Sequence, residues 1–438
     1  MVQLYKSKQK TPRQPIYLVV DIDNLNQSGA GVGRYKGKVI FVKGALPAEQ
    51  VKVRIISDKK NIIEAEVVKI IKASPVRVTP QCEYYEQCGG CHLQHLDAKA
   101  QLTYKQEMVQ SLFVKAGWPK AQSWLPPISD SAFHYRKRAR LACFYDHKSG
   151  QITVGLRAEN SKKIISIEHC QVLSKPLSKL LIELKPLLNS LNGKKYLGHI
   201  DLNQMSSVPS IKVYTTKLLD NEDVKQLSDF AKKHKVVVVT QAKETAEIFV
   251  DGAKELTYAV DNVIINYSLD DFTQVNTDIN HKMVTQAIAW LNINKDDQVL
   301  DLYCGLGNFS LPIALQAKNV VGIEGIDTMV MKAQHNAQRN AIKNCEFIQA
   351  NLDEPCDSHF KHKQKIILDP ARAGAESVCQ MAGNWQASHV LYISCNPNSL
   401  ARDGKHLLDA GFKVEKICLL DMFPQTSHVE TMALFTKY

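Results

Sequence analysis

What this chain lacks narrows its class before any motif is read. Nowhere in its 438 residues does an apolar run approach the roughly 20 residues that a membrane span requires. Residues 1–14 are polar and basic, without the apolar centre of a secretion signal. There is no internal repeat and no low-complexity tract, so solenoid and disordered classes are set aside. Acidic side chains are in deficit, 44 against 55 basic, for a net charge of +11. The expectation is a soluble, cytoplasmic, multidomain protein with a polyanionic partner.

The basic excess is concentrated at one end. Residues 1–74 hold 14 basic and 6 acidic side chains. In the same stretch four short β-branched runs, 16–20, 38–42, 51–56 and 62–68, are separated by turns bearing Gly, Pro or Asp. Strands so close together predict a small barrel, because closure removes exposed edges. Residues 29–38 interleave glycines with Tyr35 and the cations Arg34, Lys36 and Lys38, which predicts a loop suited to a sugar-phosphate chain.

Eleven cysteines, an odd number in a chain without a secretion signal, point to metal or catalytic thiols and not to disulfides. Cys82, Cys88 and Cys91 stand in C-x5-C-G-G-C spacing, and folding can bring Cys170 to them as a fourth ligand. A four-cysteine iron–sulfur cluster and a structural zinc both suit four thiols. The second C-x2-C pair common in zinc sites is missing, which favours the cluster. His92 and His95 are nearby, but four thiols leave neither needed. Residues 97–116 read as a helix, with Leu102, Val109, Leu112 and Phe113 near helical spacing. Arg136, Arg138 and Arg140 alternate, which predicts three guanidiniums on one strand face, available to phosphates. The middle, 152–263, mixes strands such as 235–240 with helices such as 177–191 and carries no catalytic motif; an α+β domain is expected there.

From residue 271 the texture becomes regular. Phe272-Thr273-Gln274-Val275-Asn276 leads into an amphipathic helix over 277–291, and strands then alternate with helices to the end, predicting a doubly wound sheet. In its first unit a strand ending at Tyr303 runs into the turn Cys304-Gly305-Leu306-Gly307-Asn308 and a helix; the next strand ends at Glu324, an acid suited to a ribose diol. The third glycine of the dinucleotide fingerprint is absent, and Asp301 before the turn would repel a pyrophosphate. The same carboxylate suits the ammonium end of S-adenosylmethionine, which has no phosphate. Asn351, after the third strand, stands where a side chain meets the adenine. Asp369, in Asp369-Pro370-Ala371-Arg372, and Cys395, in Ser394-Cys395-Asn396-Pro397, each follow an apolar strand, so both are expected at the ligand-binding edge. Glu430 lies at the mouth of the closing strand, 429–435; taken alone it reads as a surface carboxylate.

A thiol, two acids and a methyl donor make a coherent reaction at carbon 5 of uracil. That carbon is too weak a nucleophile unaided, and a thiolate adding at carbon 6 converts it to an enolate carbon. Its proton must then be taken by a carboxylate before the thiol leaves. Cys395 suits the nucleophile, Glu430 the base and Asp369 a hydrogen-bond partner for the uracil edge. A paired base must be extruded to reach such a pocket.

On these motifs the chain resembles the RNA 5-methyluridine methyltransferases nearly end to end. The likeness runs from the barrel, similar to a TRAM domain, through the four cysteines to F-x-Q-x-N, D-L-Y-C-G-x-G-N, D-P-A-R-x-G, S-C-N-P and H-V-E-T. The resemblance implies an α/β Rossmann-like methyltransferase domain with a mixed seven-stranded sheet (269–438), an N-terminal OB-like β-barrel (1–74) and a central α+β domain (75–268). It implies a [4Fe-4S] cluster on Cys82, Cys88, Cys91 and Cys170. It implies S-adenosyl-L-methionine contacts from Gln274, Tyr303, Asn308, Glu324, Asn351 and Asp369, with Cys395 as nucleophile and Glu430 as proton acceptor. Barrel and cysteines together favour 23S ribosomal RNA as the partner over transfer RNA. A reading from another class, a non-catalytic RNA-binding iron–sulfur protein, is opposed by the co-occurrence of Cys395, Asp369 and Glu430.

Overall fold

A computed structural model describes residues 16–120, 123–252, 255–354, 360 and 362–437; the basic stretch 1–14 lies outside them. Two compact units divide the chain. One comprises the described residues up to Thr79 with His95–Asp97, the other Pro80–Gln94 with the chain from Ala98 onward.

The first unit is a closed five-stranded barrel in the order β1-β2-β3-β5-β4, made by β1 (Tyr17–Leu25), β2 (Gly31–Tyr35), β3 (Lys38–Lys43), β4 (Gln50–Asp58) and β5 (Ile62–Lys72). Alternate residues such as Val20, Ile22, Ile40, Val42, Val51 and Val53 fill its centre. The glycine-rich stretch differs from its expected loop form: it is the β2–β3 hairpin. A Cβ on Gly31 would lie 2.9 Å from that of Ala45, and one on Gly33 would overlap the Asp21 carbonyl. These glycines permit close packing of the barrel wall, and only the turn at Lys36 and Gly37, both with positive φ, projects outward.

The first helix of the second unit is α1 (Ala98–Lys115), whose buried face includes Gln101 and Lys105 beside Tyr104, Val109 and Phe113. A seven-stranded sheet follows, in the order β12-β11-β10-β9-β6-β7-β8. Its strands are β6 (Arg138–Asp146), β7 (Gln151–Arg157), β8 (Ile164–Ser166), β9 (Leu197–Asn203), β10 (Ser210–Thr215), β11 (Val237–Ala242) and β12 (Ile248–Asp251). Helices α2 (Lys175–Ser190) and α3 (Asn221–His234) bury Leu177, Leu181, Leu184, Leu227 and Phe230 in the core against it. The expected arginine stripe is not a free phosphate face. Arg136 precedes β6, Arg138 donates to the carbonyls of Asp271 (2.5 Å) and Leu269 (2.7 Å), and Arg140 makes a bidentate pair with Asp201 at 2.7 Å. Their donors answer protein acceptors, two of them carbonyls near the start of the following region.

After the hairpin of β13 (Leu256–Val260) and β14 (Val263–Tyr267) comes α4 (Thr277–Leu291), the span expected from sequence. Asn276 caps it by accepting from the Ile279 amide (3.3 Å). The last sheet contains β15 (Gln298–Leu302), β16 (Asn319–Glu324), β17 (Cys345–Gln349), β18 (Lys365–Leu368), β19 (His389–Ser394), β20 (Lys413–Leu420) and β21 (Glu430–Thr436). Helices α5 (Ser310–Ala314), α6 (Asp327–Arg339), α7 (Glu376–Gln380) and α8 (Pro397–Asp409) link them. The order is β17-β16-β15-β18-β19-β21-β20. The first five strands are parallel, and β21 inserts antiparallel to both its neighbours, giving the mixed, doubly wound sheet. The central strands are largely buried and apolar because both faces are covered, whereas the edge strands β17 and β20 carry Glu346, Lys413 and Glu415. Among the described residues no helix is long and apolar enough to cross a membrane.

Candidate active site

Parallel strands deliver their carboxyl ends to one edge of a sheet, and there β15, β16, β18 and β19 lead into Tyr303, Glu324, Asp369 and Cys395. Because β21 runs the other way, its first residue, Glu430, arrives at that same edge. Register makes neighbours of them. Ser394 pairs with Thr431, so Cys395 and Glu430 are the next residues outward on adjacent strands. Leu368 pairs with Tyr392, which sets Asp369 on the other side of β19.

The electrostatics agree with that proximity. Burial pushes the half-buried Cys395 thiol up to about 11; the Glu430 charge adds to the rise, Arg372 opposes it, and Asp369 contributes further. Glu430 is buried, not the surface carboxylate that its local sequence suggests, and its pKa is raised well above the ordinary carboxylate value by burial and by Asp369. Asp369 is itself pushed up to about 7 by burial, with Asp301 adding. A crowd of acids with one nearby guanidinium is a site that favours a cationic ligand.

Local hydrogen bonds hold these groups. Asn396 caps α8 and donates its Nδ2 to the Arg372 carbonyl (2.9 Å), joining the turn after Cys395 to the turn after Asp369. Underneath, buried Asp403 accepts from the Tyr392 hydroxyl (2.5 Å) and the Ala375 amide (2.7 Å). The Arg372 guanidinium faces His428 Nδ1 at 3.4 Å. In the sequence Arg372 stands only as a member of D-P-A-R-x-G; a cation three residues beyond an acid at a strand end is the signal for it. His428, two residues before Glu430, is the first residue of H-V-E-T, and that motif is its signal in the sequence.

The residues expected from sequence to hold a methyl donor lie one strand over. Asp301 is fully buried and pushed up to about 7 by burial, and Ser310 donates to its Oδ2. Its Oδ1 has no hydrogen-bond partner, an orphaned buried acceptor that suits an ammonium donor. Glu324 accepts from the amides of Gly305 and Ile326, each at 3.1 Å, which fixes an acid at the end of β16. Gly305, Gly307 and Tyr303 all have positive φ, so the backbone turns sharply over this acid. Asn308 exchanges hydrogen bonds with Asn280 of α4 (2.9 and 3.0 Å). Gln274 is half-buried just before α4. Asn351 is exposed and, with its side chain, engages Glu354 (2.9 Å) and the Asp353 amide (3.1 Å) of its own loop.

Cys82, Cys88, Cys91 and Cys170 line one pocket, together with Tyr84, Leu156, Ile167 and His169. Cys91 is pushed up to about 12 by burial, with the charges of Cys170, Cys88 and Cys82 adding, as they do where thiols face one another. The Gly90 amide donates to Cys88 Sγ at 3.4 Å, and a Cβ on Gly89 would crowd the Glu159 amide at 2.8 Å. As the side chains stand, no group of three or more His, Cys, Asp or Glu among the described residues is arranged to ligate an ion. The donor set is nonetheless all thiol, mutually facing and half-buried, which fits a sulfur-rich cluster.

Comparisons with known proteins speak to the same regions. The tRNA (uracil-5-)-methyltransferase family model matches residues 97–438, and the TRAM domain model matches 17–68. A Shewanella sediminis protein named 23S rRNA (uracil(1939)-C(5))-methyltransferase RlmD is 41% identical over 439 residues, covering 99% of each chain. An Aliivibrio salmonicida protein of the same name is 40% identical and covers 100% of both chains. The crystal structure of Pyrococcus abyssi tRNA (uracil-54, C5)-methyltransferase in complex with S-adenosyl-L-homocysteine matches with a TM-score of 0.73 at 24% identity, covering 96% of this chain and 100% of that one; it speaks to the fold. With a family model covering most of its length and full-length relatives at 40% identity or more, this chain belongs to the tRNA (uracil-5-)-methyltransferase family, S-adenosylmethionine-dependent RNA methyltransferases, and carries a TRAM domain at its amino-terminal end.

Proposed function

We propose that this chain methylates carbon 5 of a uridine in 23S ribosomal RNA through a covalent adduct between Cys395 and carbon 6. The observation that carries this reading is the pairing of Ser394 with Thr431, which makes Cys395 and Glu430 neighbours at the strand edge where Asp369 also ends. The full-length relatives named for 23S rRNA support the ribosomal substrate over transfer RNA, and a cytoplasmic setting goes with it.

Each residue has a step. Cys395 adds as thiolate to carbon 6, and the electron pair of the 5,6 double bond moves to carbon 5. Gln274, Tyr303, Asn308, Glu324, Asn351 and Asp369 would hold S-adenosylmethionine, with Asp301 an acceptor for its ammonium; when bound it supplies the methyl group that carbon 5 takes, its sulfur–methyl bond breaking to leave S-adenosylhomocysteine. Glu430 then accepts the carbon 5 proton, the double bond re-forms and Cys395 leaves as thiolate. Asp369 orients the uracil edge as well as bordering the methyl donor. Arg372 favours the thiolate by its charge. The raised pKa of Glu430 suits a base, because a carboxylate that binds protons tightly removes one more readily.

The four cysteines are read as ligands of a [4Fe-4S] cluster. Its contribution is structural: it would join the segment around Cys82, Cys88 and Cys91 to Cys170, far along the chain. By role the chain then divides into an RNA-holding barrel (1–74), a cluster-bearing central region (75–268) and a methyltransferase region (269–438). Incubation with labelled S-adenosylmethionine and either unmodified 23S ribosomal RNA or transfer RNA tests the reading. Label is expected in the ribosomal RNA, with loss of both transfer and covalent adduct in Cys395→Ala; label confined to transfer RNA would overturn the substrate, and full activity of Cys395→Ala the mechanism.

A further inference from the structure

Residues 421–429 connect β20 to β21 and end against Glu430, and four consecutive carbonyls within them are held by groups from distant parts of the chain. Asn276 Nδ2 donates to Met422 O (3.5 Å), Lys105 Nζ to Phe423 O (3.1 Å) and the Tyr135 hydroxyl to Pro424 O (2.9 Å). The amides of His92 and Leu93 both donate to Gln425 O, at 2.9 and 3.0 Å. Gln425 has φ +66, a conformation that a non-glycine residue keeps only where its surroundings enforce it. Connecting segments are ordinarily the mobile parts of a fold; this one is held at four successive carbonyls, from Met422 to Gln425.

Gln101 is the hub of that arrangement. Its Nε2 donates to Leu93 O and to Gln425 Oε1, each at 3.0 Å, and its Oε1 accepts from the Gln425 amide at 3.0 Å. Both amide hydrogens and the carbonyl oxygen are thereby used. One helical turn on, Lys105 Nζ reaches Asp421 Oδ1 at 2.8 Å, with the lysine 1% exposed. An amide and an ammonium on the buried face of a helix are costly to desolvate, and apolar side chains would serve packing alone at lower cost. What they add is geometry: one end of the hub holds Leu93, two residues beyond Cys91, and the other holds the turn that leads to Glu430.

We propose that Gln101, seconded by Lys105 and Tyr135, is a positioning residue for proton removal from carbon 5, setting the place of Glu430 through residues 421–429 and tying it to the cysteine segment. This rests on the reading of Glu430 as base. Addition of Cys395 and methyl transfer precede the proton step, so loosening the hub slows release and not attachment. The RNA–protein adduct therefore builds up.

The test uses the full-length protein with unmodified 23S ribosomal RNA fragment and labelled S-adenosylmethionine, reading turnover, adduct resistant to denaturing electrophoresis, melting temperature and cofactor Kd. In Gln101→Met and Tyr135→Phe, turnover is expected to fall roughly ten-fold for a lost buried hydrogen bond, with adduct accumulating and Kd unchanged. Tyr135→Phe removes one hydroxyl and decides the matter should Gln101→Met not fold. Glu430→Gln serves as reference. Adduct in that reference but in neither variant overturns the positioning role alone, whereas absence of adduct in the reference overturns the base assignment and the positioning role with it.

Discussion

Cys395 has a handicap at neutral pH: with its thiol near 11, about one in ten thousand is ionised at pH 7. Burial is the main cause, and the charges that add to it are the carboxylates of Glu430 and Asp369, so a cation arriving among them is part of the chemistry. Asp301 and Asp369, each pushed up to about 7 and chiefly by burial, decide when that cation is welcome. A carboxyl whose pKa is raised loses its charge as pH falls through the raised value, and only the ionised form attracts an ammonium or sulfonium. S-Adenosylmethionine binding is therefore expected to weaken roughly ten-fold between about pH 8 and pH 6, measured by titration calorimetry. Asp301→Asn should bind weakly at both pH values and flatten the dependence. A wild-type affinity that is level across the range would show that neither acid contacts the charged end of the cofactor.

Among the elements, α8 carries Cys395 at its doorstep and depends on one glycine for its seat. Glycine in an exposed helix is worth about 1 kcal/mol less than alanine, so Gly404→Ala would ordinarily stabilise. Here the added methyl would overlap the Trp118 indole, which is 3% exposed, stacked on Phe113 at 4.2 Å and bonded through Nε1 to Ala401 O at 2.9 Å. Overpacking of that kind costs about 1–3 kcal/mol, and a ring fixed on three sides has nowhere to go. Gly404→Ala is expected to lower Tm by several degrees and to shift indole fluorescence; a raised Tm would mean that Trp118 swings aside. The contrast between α4 and α8 also explains what the sequence reveals. The ends of α4 are written locally, in the Asn276 cap and in Asn292 with φ +47, and its span is readable residue by residue. The place of Glu430 is not, because it follows from β21 inserting between β19 and β20 against chain order. Likewise Gln101 and Lys105 resemble a solvated helix face, since their partners stand 324 and 316 residues away.

At the scale of the whole molecule the barrel, with ten basic and six acidic side chains over 17–72, is basic and the candidate site on the last sheet is acidic, so the proposed function assigns RNA affinity and chemistry to different parts. Polyanion affinity from such a barrel depends on salt, because each neutralised phosphate releases counterions. Many of its cations already answer neighbours: Lys38 pairs with Asp58, Arg54 with Glu66 and Lys59 with Glu64. The β2–β3 turn is different in kind. Lys36 and Gly37 project there, the ammonium of Lys36 lies 5.5 Å from the centre of the Tyr35 ring, and nothing comes within 4 Å of a Cβ on Gly37. An aromatic and a cation at an open tip suit a base and its phosphate together. Lys36→Ala is expected to weaken RNA binding and to reduce the slope of log affinity against log salt by about one, with cofactor affinity unchanged. Tyr35→Ala should weaken binding with the salt slope intact, since stacking releases no counterions. If instead both substitutions leave affinity at wild-type level while charge reversal at Lys52, on β4 with its ammonium 5.3 Å from the Tyr17 ring, abolishes it, then RNA runs along the β1–β4 wall and the hairpin tip is only a turn.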